Sequence, residues 1–483
     1  MSRSPILLLV FLTLAVALAR AAPGMPTDEA AVTHALNRLA FGPRPGDVAQ
    51  VSAMGLSRWI DRQLEPAGLD DTALETRLAR LETLAWDSTT IGRAFLEARQ
   101  QRQAQQRAAS ADPAMAPVPP VSPGRPMNAA LIQQRRILTE LADAKLLRAL
   151  YSERQLEAVL VDFWFNHFNV FARKGQTGIY VGEYEREAIR PYVLGRFRDL
   201  LGATARHPAM LFYLDNWQSV APNPRLTPRV SAAPDNRARR GLNENYAREL
   251  LELHTLGVDG GYTQEDIVNV ARAFTGWTIG RPGESGFRFA PNLHDRQTKT
   301  VLGQRLAAGG GIDDGERVLD ILARHPSTAR NIAFKLAQRF VHDAPPPSLV
   351  DRAARTFLRS DGNLKEVVRT IVTSSEFFDA DVRLAKVKTP FEFVASALRA
   401  TGAELRTGQA INRALGEMGM PLYMCQPPTG YDEVAAAWIS SGALVTRINF
   451  AVALTGGQLR GIQLPADAKT SAVTLGAADF QKQ

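Results

Sequence analysis

Three clusters of polar residues in this chain have the types and spacing for chemistry. The first is the run Asn243 to Gly257, which carries Glu244, Asn245, Arg248, Glu249, Glu252 and His254 within one helix-length segment ending on glycine. At about 100° per residue, Asn245, Arg248, Glu249, Glu252 and Glu244 share one broad face. His254 falls on the opposite face with Ala247, Leu250 and Leu253, so it cannot join the glutamates in a same-helix metal site. Glu249 and Glu252, one turn apart, can supply a general base or hold a hard divalent cation. The competing reading is a solvated surface neutralised by Arg248.

The second cluster is Asp162-Phe163-Trp164-Phe165-Asn166-His167-Phe168-Asn169. Its acid and amides fall on one side and its aromatics on the other, with His167 at the border. Such amides satisfy buried backbone or grip ligand hydroxyls. The third is His294-Asp295 with Lys299, placed in a loop where packing does not require polar groups. A histidine beside an aspartate and a lysine can bind phosphate or sulfate, or ligate a metal. The candidate catalytic set is therefore Glu249, Glu252, His294 and His167. The candidate substrate-binding set is Asn166, Asn245, Arg248, Asp295 and Lys299. No motif names a cofactor beyond that possible divalent ion.

The elements that must position these groups read as helices. Ser152 with Gln155, Thr263 with Asp266, and Asn363 with Glu366 each look like a helix start followed by an apolar stripe at helical spacing. Another stripe, Ile332, Ala333, Leu336, Phe340 and Val341, follows His325-Pro326, and Thr72 with Glu75 opens a polar helix. Strand signals are confined to Gly178–Val181 and Gly286–Phe289. Nothing alternates strand with helix as a parallel sheet demands. The expected fold is mainly α, an irregular multi-helix globular assembly with long loops and at most a small β-hairpin.

Residues 1–21 read as a signal peptide. Arg3 precedes an apolar core from Ile6 to Leu18, and Ala17-Leu18-Ala19 and Ala19-Arg20-Ala21 are small-x-small cleavage patterns. This predicts a periplasmic or secreted protein with no transmembrane segment after cleavage. A helical segment at 22–99 then precedes a Pro/Ala/Gln-rich linker or insertion at 100–128. The main helical domain at 129–460 packs with the N-terminal segment, and 461–483 form a tail. Ser219–Arg240 and Gly280–Gly315 read as long loops. Cys425 is the single cysteine, so no disulfide forms within the chain, and it reads as a small buried apolar residue. The net charge of +8 and pI near 9.7 favour an anionic neighbour such as an envelope polymer. The densest basic cluster, Arg237–Arg240, lacks interleaved aromatics, which argues against nucleic acid. Zinc-protease, serine-hydrolase, phosphate-loop, dinucleotide and paired-cysteine motifs are all missing.

Several stretches together carry a resemblance. They are His34–Pro43, Phe163–Phe168, and Asn243–Gly257 running into Gly261-Tyr262-Thr263 and Phe274–Trp277. His294-Asp295, Lys299, Leu302-Gly303, Phe340-Val341 and Pro390-Phe391-Glu392 follow. Over residues 34 to 460 the chain resembles a family of large secreted bacterial proteins known as a domain of unknown function, number eighteen hundred in its series. Phe165 departs from the polar residue or histidine of the family's pattern, which argues against a metal role there. The resemblance brings no reaction with it. Its members are often encoded beside secreted sulfatase-like proteins, so it implies such a partner. Two functions follow as expectations: a cell-envelope hydrolase with a His/Glu cleft acting on an anionic or hydroxyl-rich substrate, or a non-catalytic scaffold for another secreted protein.

Overall fold

The computed structural model describes residues 25–87, 129–222, 241–280 and 286–483, with scattered positions between 89 and 107. The expected signal peptide, most of the 100–128 linker and the Arg237–Arg240 cluster lie outside the described residues.

The chain folds as a mainly α assembly, and local signals account for many helix starts. Thr263 and Asp266 form a reciprocal capping box that opens Gln264–Ala273. The Asn363 side chain accepts from the Glu366 N–H at 3.3 Å and opens Leu364–Val372. Pro326–Phe340 begins behind His325, whose Nδ1 accepts from the Ser327 N–H at 3.1 Å. Ser152 behaves differently. Its hydroxyl donates to Asp71 at 2.6 Å, and Arg154 occupies the cap position of Gln155–His167. A tertiary partner holds the hydroxyl's proton, while its oxygen still accepts from the Arg154 N–H at 3.0 Å.

The helices Pro326–Phe340, Pro347–Arg359 and Leu364–Val372 pack together and bury Ile332, Leu336, Phe340, Phe357, Val368 and Ile371 completely or nearly so. Each such side chain contributes about 1.5–3 kcal/mol on leaving water. Against these lie Ala129–Tyr151, Gln155–His167 and Pro390–Ala400. The N-terminal helix Glu29–Leu39 is fixed by Arg38, which donates to the Val382 carbonyl at 3.0 Å. Arg399 donates from Nε to the Gly42 carbonyl at 2.6 Å and from Nη1 to the Ala149 and Leu150 carbonyls. The last residues return to the body: Gln483 donates to Glu392 at 2.8 Å, and Val387 bridges Lys482.

Strand content is small, with one correction. Gly178–Val181 is helical, inside Thr177–Glu183, which continues as a π-helix over Tyr184–Ile189. Ile179, Tyr180 and Val181 are all buried, so this run has no exposed face and period-two reasoning had no basis. Phe287–Phe289 is a strand, paired antiparallel with Trp277–Ile279. Two further antiparallel pairs occur, Lys299–Val301 with Gln304–Leu306 and Glu404–Leu405 with Ile462–Gln463. The described residues thus hold three short two-stranded sheets. No helix among them is long and apolar enough to cross a membrane.

Candidate functional site

The Asn243–Gly257 run is α-helical over Asn245–Glu249 and a π-helix over Leu250–Thr255. A π turn admits one more residue per hydrogen-bonded ring than an α turn and often marks function. Glu249 and Glu252 are both half-buried, while His254 is 1 % exposed. Burial, and next the neighbouring Glu252 carboxylate, raise the Glu249 carboxyl above its ordinary value, against the pull of Arg248. Glu249 accepts no hydrogen bond from a described residue, whereas Glu252 accepts from the Tyr262 hydroxyl at 3.3 Å. Arg248 pairs with Glu244 at 3.6 Å and donates to Gln264 at 3.2 Å. Asn245 is exposed and donates to the Leu214 carbonyl at 3.4 Å.

His167 lies at the end of the Gln155–His167 helix, among Phe163, Trp164, Phe168 and His254. Its Nε2 donates to the His254 carbonyl at 3.1 Å, which leaves Nδ1 as the lone-pair nitrogen, buried and without a partner among the described residues. The His254 Nε2 is likewise buried and unpartnered among the described residues. Burial, followed by the Lys335 charge, lowers both imidazoles, His254 to about 3. Both rings are therefore neutral at physiological pH. Asn166, one residue before His167, clamps the Tyr431 backbone, donating to its carbonyl and accepting from its N–H at 2.7 Å each.

His294, Asp295 and Lys299 form a separate, closed network. His294 places Nδ1 2.8 Å from the Thr275 carbonyl and Nε2 3.2 Å from Asp314 Oδ2. Lys299 donates to the same Asp314 oxygen at 2.7 Å and to the Asp295 and Gln297 carbonyls. Asp295 is held by Arg272 at 2.8 Å. All are nearly buried. The structure thus joins His294 to Lys299 through Asp314, keeps Glu249 and Glu252 on one helix, and sets His167 in an aromatic nest beside His254. The three groups do not converge on one another: the histidine–lysine network is closed through Asp314, while Glu249 accepts no hydrogen bond from a described residue. Trp277 is completely buried.

A fourth cluster was only partly legible in the sequence. A cavity of ≈ 30 Å³ is lined by Lys145, Asp162, Asn166, Arg339, Glu392, Tyr423, Cys425 and Glu433, among others. Lys145 pairs with Asp162, and Arg339 pairs with Glu392 and stands 3.9 Å from Glu433. Burial alone would raise the Glu392 carboxyl, but Arg339 leads the contacts that bring it down to about 2. The opposite balance holds at Glu433, where burial outweighs Arg339 and, with the Glu392 charge, raises the carboxyl. Tyr423 adopts a left-handed backbone (φ 62°) and donates its hydroxyl to Glu185 at 2.6 Å. A bulky residue in that region costs of order 1–2 kcal/mol, which the surrounding contacts must offset. Burial pushes the Cys425 thiol to about 11, so the cysteine behaves as the small apolar residue expected. Asp162 and Asn166 came from the second motif. Arg339 and Glu433 were missed. The available clue was a charge set inside an apolar stripe, as with Arg339 between Leu336 and Phe340. Among the described residues, no group of three or more His, Cys, Asp or Glu side chains is arranged to hold a metal ion.

One surface stands out. On the Ser441–Thr455 helix, Leu444, Val445, Ile448 and Val452 are all exposed and fall within one face, while Phe450, Ala451 and Leu454 are buried on the other. The Ala472–Gly476 helix packs on it and exposes Val473.

Fold and clusters together define a mainly helical protein with closed polar networks and one bare apolar helix face. The chain belongs to the family described as protein of unknown function (DUF1800), whose profile matches residues 34–482. No curated protein and no solved structure matches it.

Proposed function

We propose that this is an exported, non-catalytic partner of another envelope protein, with the Ser441–Thr455 helix as its docking face. The observation that carries this reading is the apolar stripe Leu444, Val445, Ile448 and Val452, with 40–55 % of each residue exposed on an otherwise well-buried fold. A helix face of this kind is suited to an apolar patch on a partner. The groove on its flank contains Arg413 and Arg460, neither ion-paired with a described residue, against one carboxylate, Glu417, so the matching patch carries a net excess of carboxylates at its rim. The family resemblance points to a sulfatase-like protein as the occupant. The internal clusters support the same reading. The His294, Arg272 and Arg339 networks are satisfied from within, and a cavity of ≈ 30 Å³ has room for about one or two waters rather than a substrate. The test mixes the purified mature protein with a purified secreted sulfatase-like protein from the same organism and follows them by sedimentation. The expected result is a complex that Leu444→Glu with Ile448→Glu abolishes while the melting temperature stays within a few degrees. A complex unaffected by the double change, or no complex at all, overturns the reading.

Glu249 favours a second reading, hydrolysis of an anionic or hydroxyl-rich envelope substrate. A half-buried carboxyl raised by burial and by Glu252, and free of hydrogen bonds from described residues, has the character of a general acid or base. Under this reading Glu249→Gln abolishes turnover of envelope glycan and leaves the fold intact; unchanged turnover removes it.

A further inference from the structure

Arginines at partly buried positions of this fold usually meet a carboxylate. Arg198 pairs with Asp320 at 2.6 Å and Glu316 at 2.9 Å, Arg190 with Glu185 at 2.7 Å, and Arg399 with Asp47 at 3.0 Å. Arg135 and Arg173 are both exposed and meet none among the described residues, and what sets them apart is the groove they share. Both line one groove of ≈ 820 Å³, no carboxylate lines it with them, and neither forms an ion pair with a described residue. Gln134, Thr139 and Asn412 add polar groups, while Leu138, Leu422 and Met424 give the groove an apolar side. Its volume falls in the range of ligand-sized sites.

The segments carrying the two arginines are held in fixed relation. Gln134, beside Arg135 on the Ala129–Tyr151 helix, donates to the Ala172 carbonyl at 3.5 Å, next to Arg173. The Ala172 N–H donates to the Tyr423 carbonyl at 3.1 Å. Lys174 is drawn to Asp215 at 2.7 Å. Gly175, at φ 51°, lies so close to the Phe212 ring that a Cβ there would stand 2.7 Å from it. The turn bearing Arg173 is therefore set by four contacts independent of any ligand, and this preorganisation lowers the cost of binding.

We propose that this groove binds the oxyanion of an acidic glycan, a sulfate, phosphate or carboxylate held between the two guanidinium forks, with the sugar rings against Leu138, Leu422 and Met424. Guanidinium groups present paired donors that match such oxyanions. The site is separate from the docking face and does not depend on it.

The test is calorimetric titration of the mature protein with four oligosaccharides of equal length: sulfated, phosphorylated, uronic and neutral. At least one acidic ligand is expected to bind and the neutral one is not; the preferred ligand identifies the oxyanion. Arg135→Ala and Arg173→Ala should each weaken binding by about tenfold. Arg173→Lys, which keeps the charge and loses the fork, should recover only part of that loss. Arg355→Ala is the control for net charge, because Arg355 is exposed on the Pro347–Arg359 helix and has no ion pair with a described residue; it should change affinity less than twofold. Equal losses in all three alanine variants would show attraction to the overall positive field instead of a site, and overturn the proposal. So would failure of every acidic ligand to bind, or equal affinity for the neutral one.

Discussion

Replacing His254 by Phe should change the acid stability of this protein in a direction opposite to that of most core substitutions. His254 is 1 % exposed, its Nε2 has no partner among the described residues, and burial, then the Lys335 charge, lowers the imidazole to about 3. The folded state therefore keeps this ring neutral, while the unfolded chain takes up a proton below its ordinary value of 6.5. Stability from the neutral ring is fully present above pH 6.5 and is lost as pH falls from there toward 3. Each pH unit in that window costs about 1.4 kcal/mol, so at pH 5.0 the loss is about 2 kcal/mol. His34 and His207, also lowered to about 3 chiefly by burial, follow the same course. Three such groups remove about 6 kcal/mol at pH 5.0, a large share of the roughly 5–15 kcal/mol that holds a typical domain together. Phenylalanine keeps the aromatic volume beside Phe168 and His167 and removes the proton acceptor. Urea unfolding of both proteins, followed by far-ultraviolet circular dichroism, measures the difference. The expectation is a change within about 1 kcal/mol at pH 7.5 and a relative gain of about 2 kcal/mol at pH 5.0. The same difference between variant and parent at both pH values would refute the reasoning, since it would mean that His254 titrates alike in the folded and unfolded states.

Further outcomes follow from the buried charges. Arg339→Met should destabilise by about 3–5 kcal/mol, because it leaves Glu392 and the nearby Glu433 buried without their shared cation; a change under 1 kcal/mol in the urea midpoint energy would count against the pairing. Burial holds the Lys388 ammonium down at about 7, with Arg447 acting in the same direction and Glu392 against it. The cost of that buried charge is complete below pH 7 and is relieved as pH rises toward the unfolded value of 10.5. Lys388→Met gives up hydrogen bonds to Ser396 and the Phe480 carbonyl. Its melting temperature relative to the parent should nonetheless be more favourable at pH 6 than at pH 9, and a flat difference would rule out the titration.

Helices and their starting points were legible in the sequence because the determinants are local. The Thr263–Asp266 box and the Asn363 cap lie within four residues of the groups they satisfy, and stripes such as Ile332, Leu336 and Phe340 reveal a buried face by spacing alone. Family membership was legible for a related reason: ordered short motifs survive in linear text. Sidedness on the Asn243 run was also readable, with the glutamates half-buried and His254 enclosed. Tertiary structure decided everything that depends on groups far apart in the chain. Ser152 looked like a cap and became a partner of Asp71; Ile179-Tyr180-Val181 looked like a strand and is a helix buried on all sides. His294 looked like an available loop histidine, yet Asp314 and Lys299 enclose it. The convergence of Lys145, Asp162, Arg339, Glu392 and Glu433 joins five distant positions, and the Arg135–Arg173 groove joins two arginines 38 residues apart in a lining without a carboxylate. Whether a charge is paired, buried or free is set by three-dimensional neighbours, and no one-dimensional pattern encodes that neighbourhood.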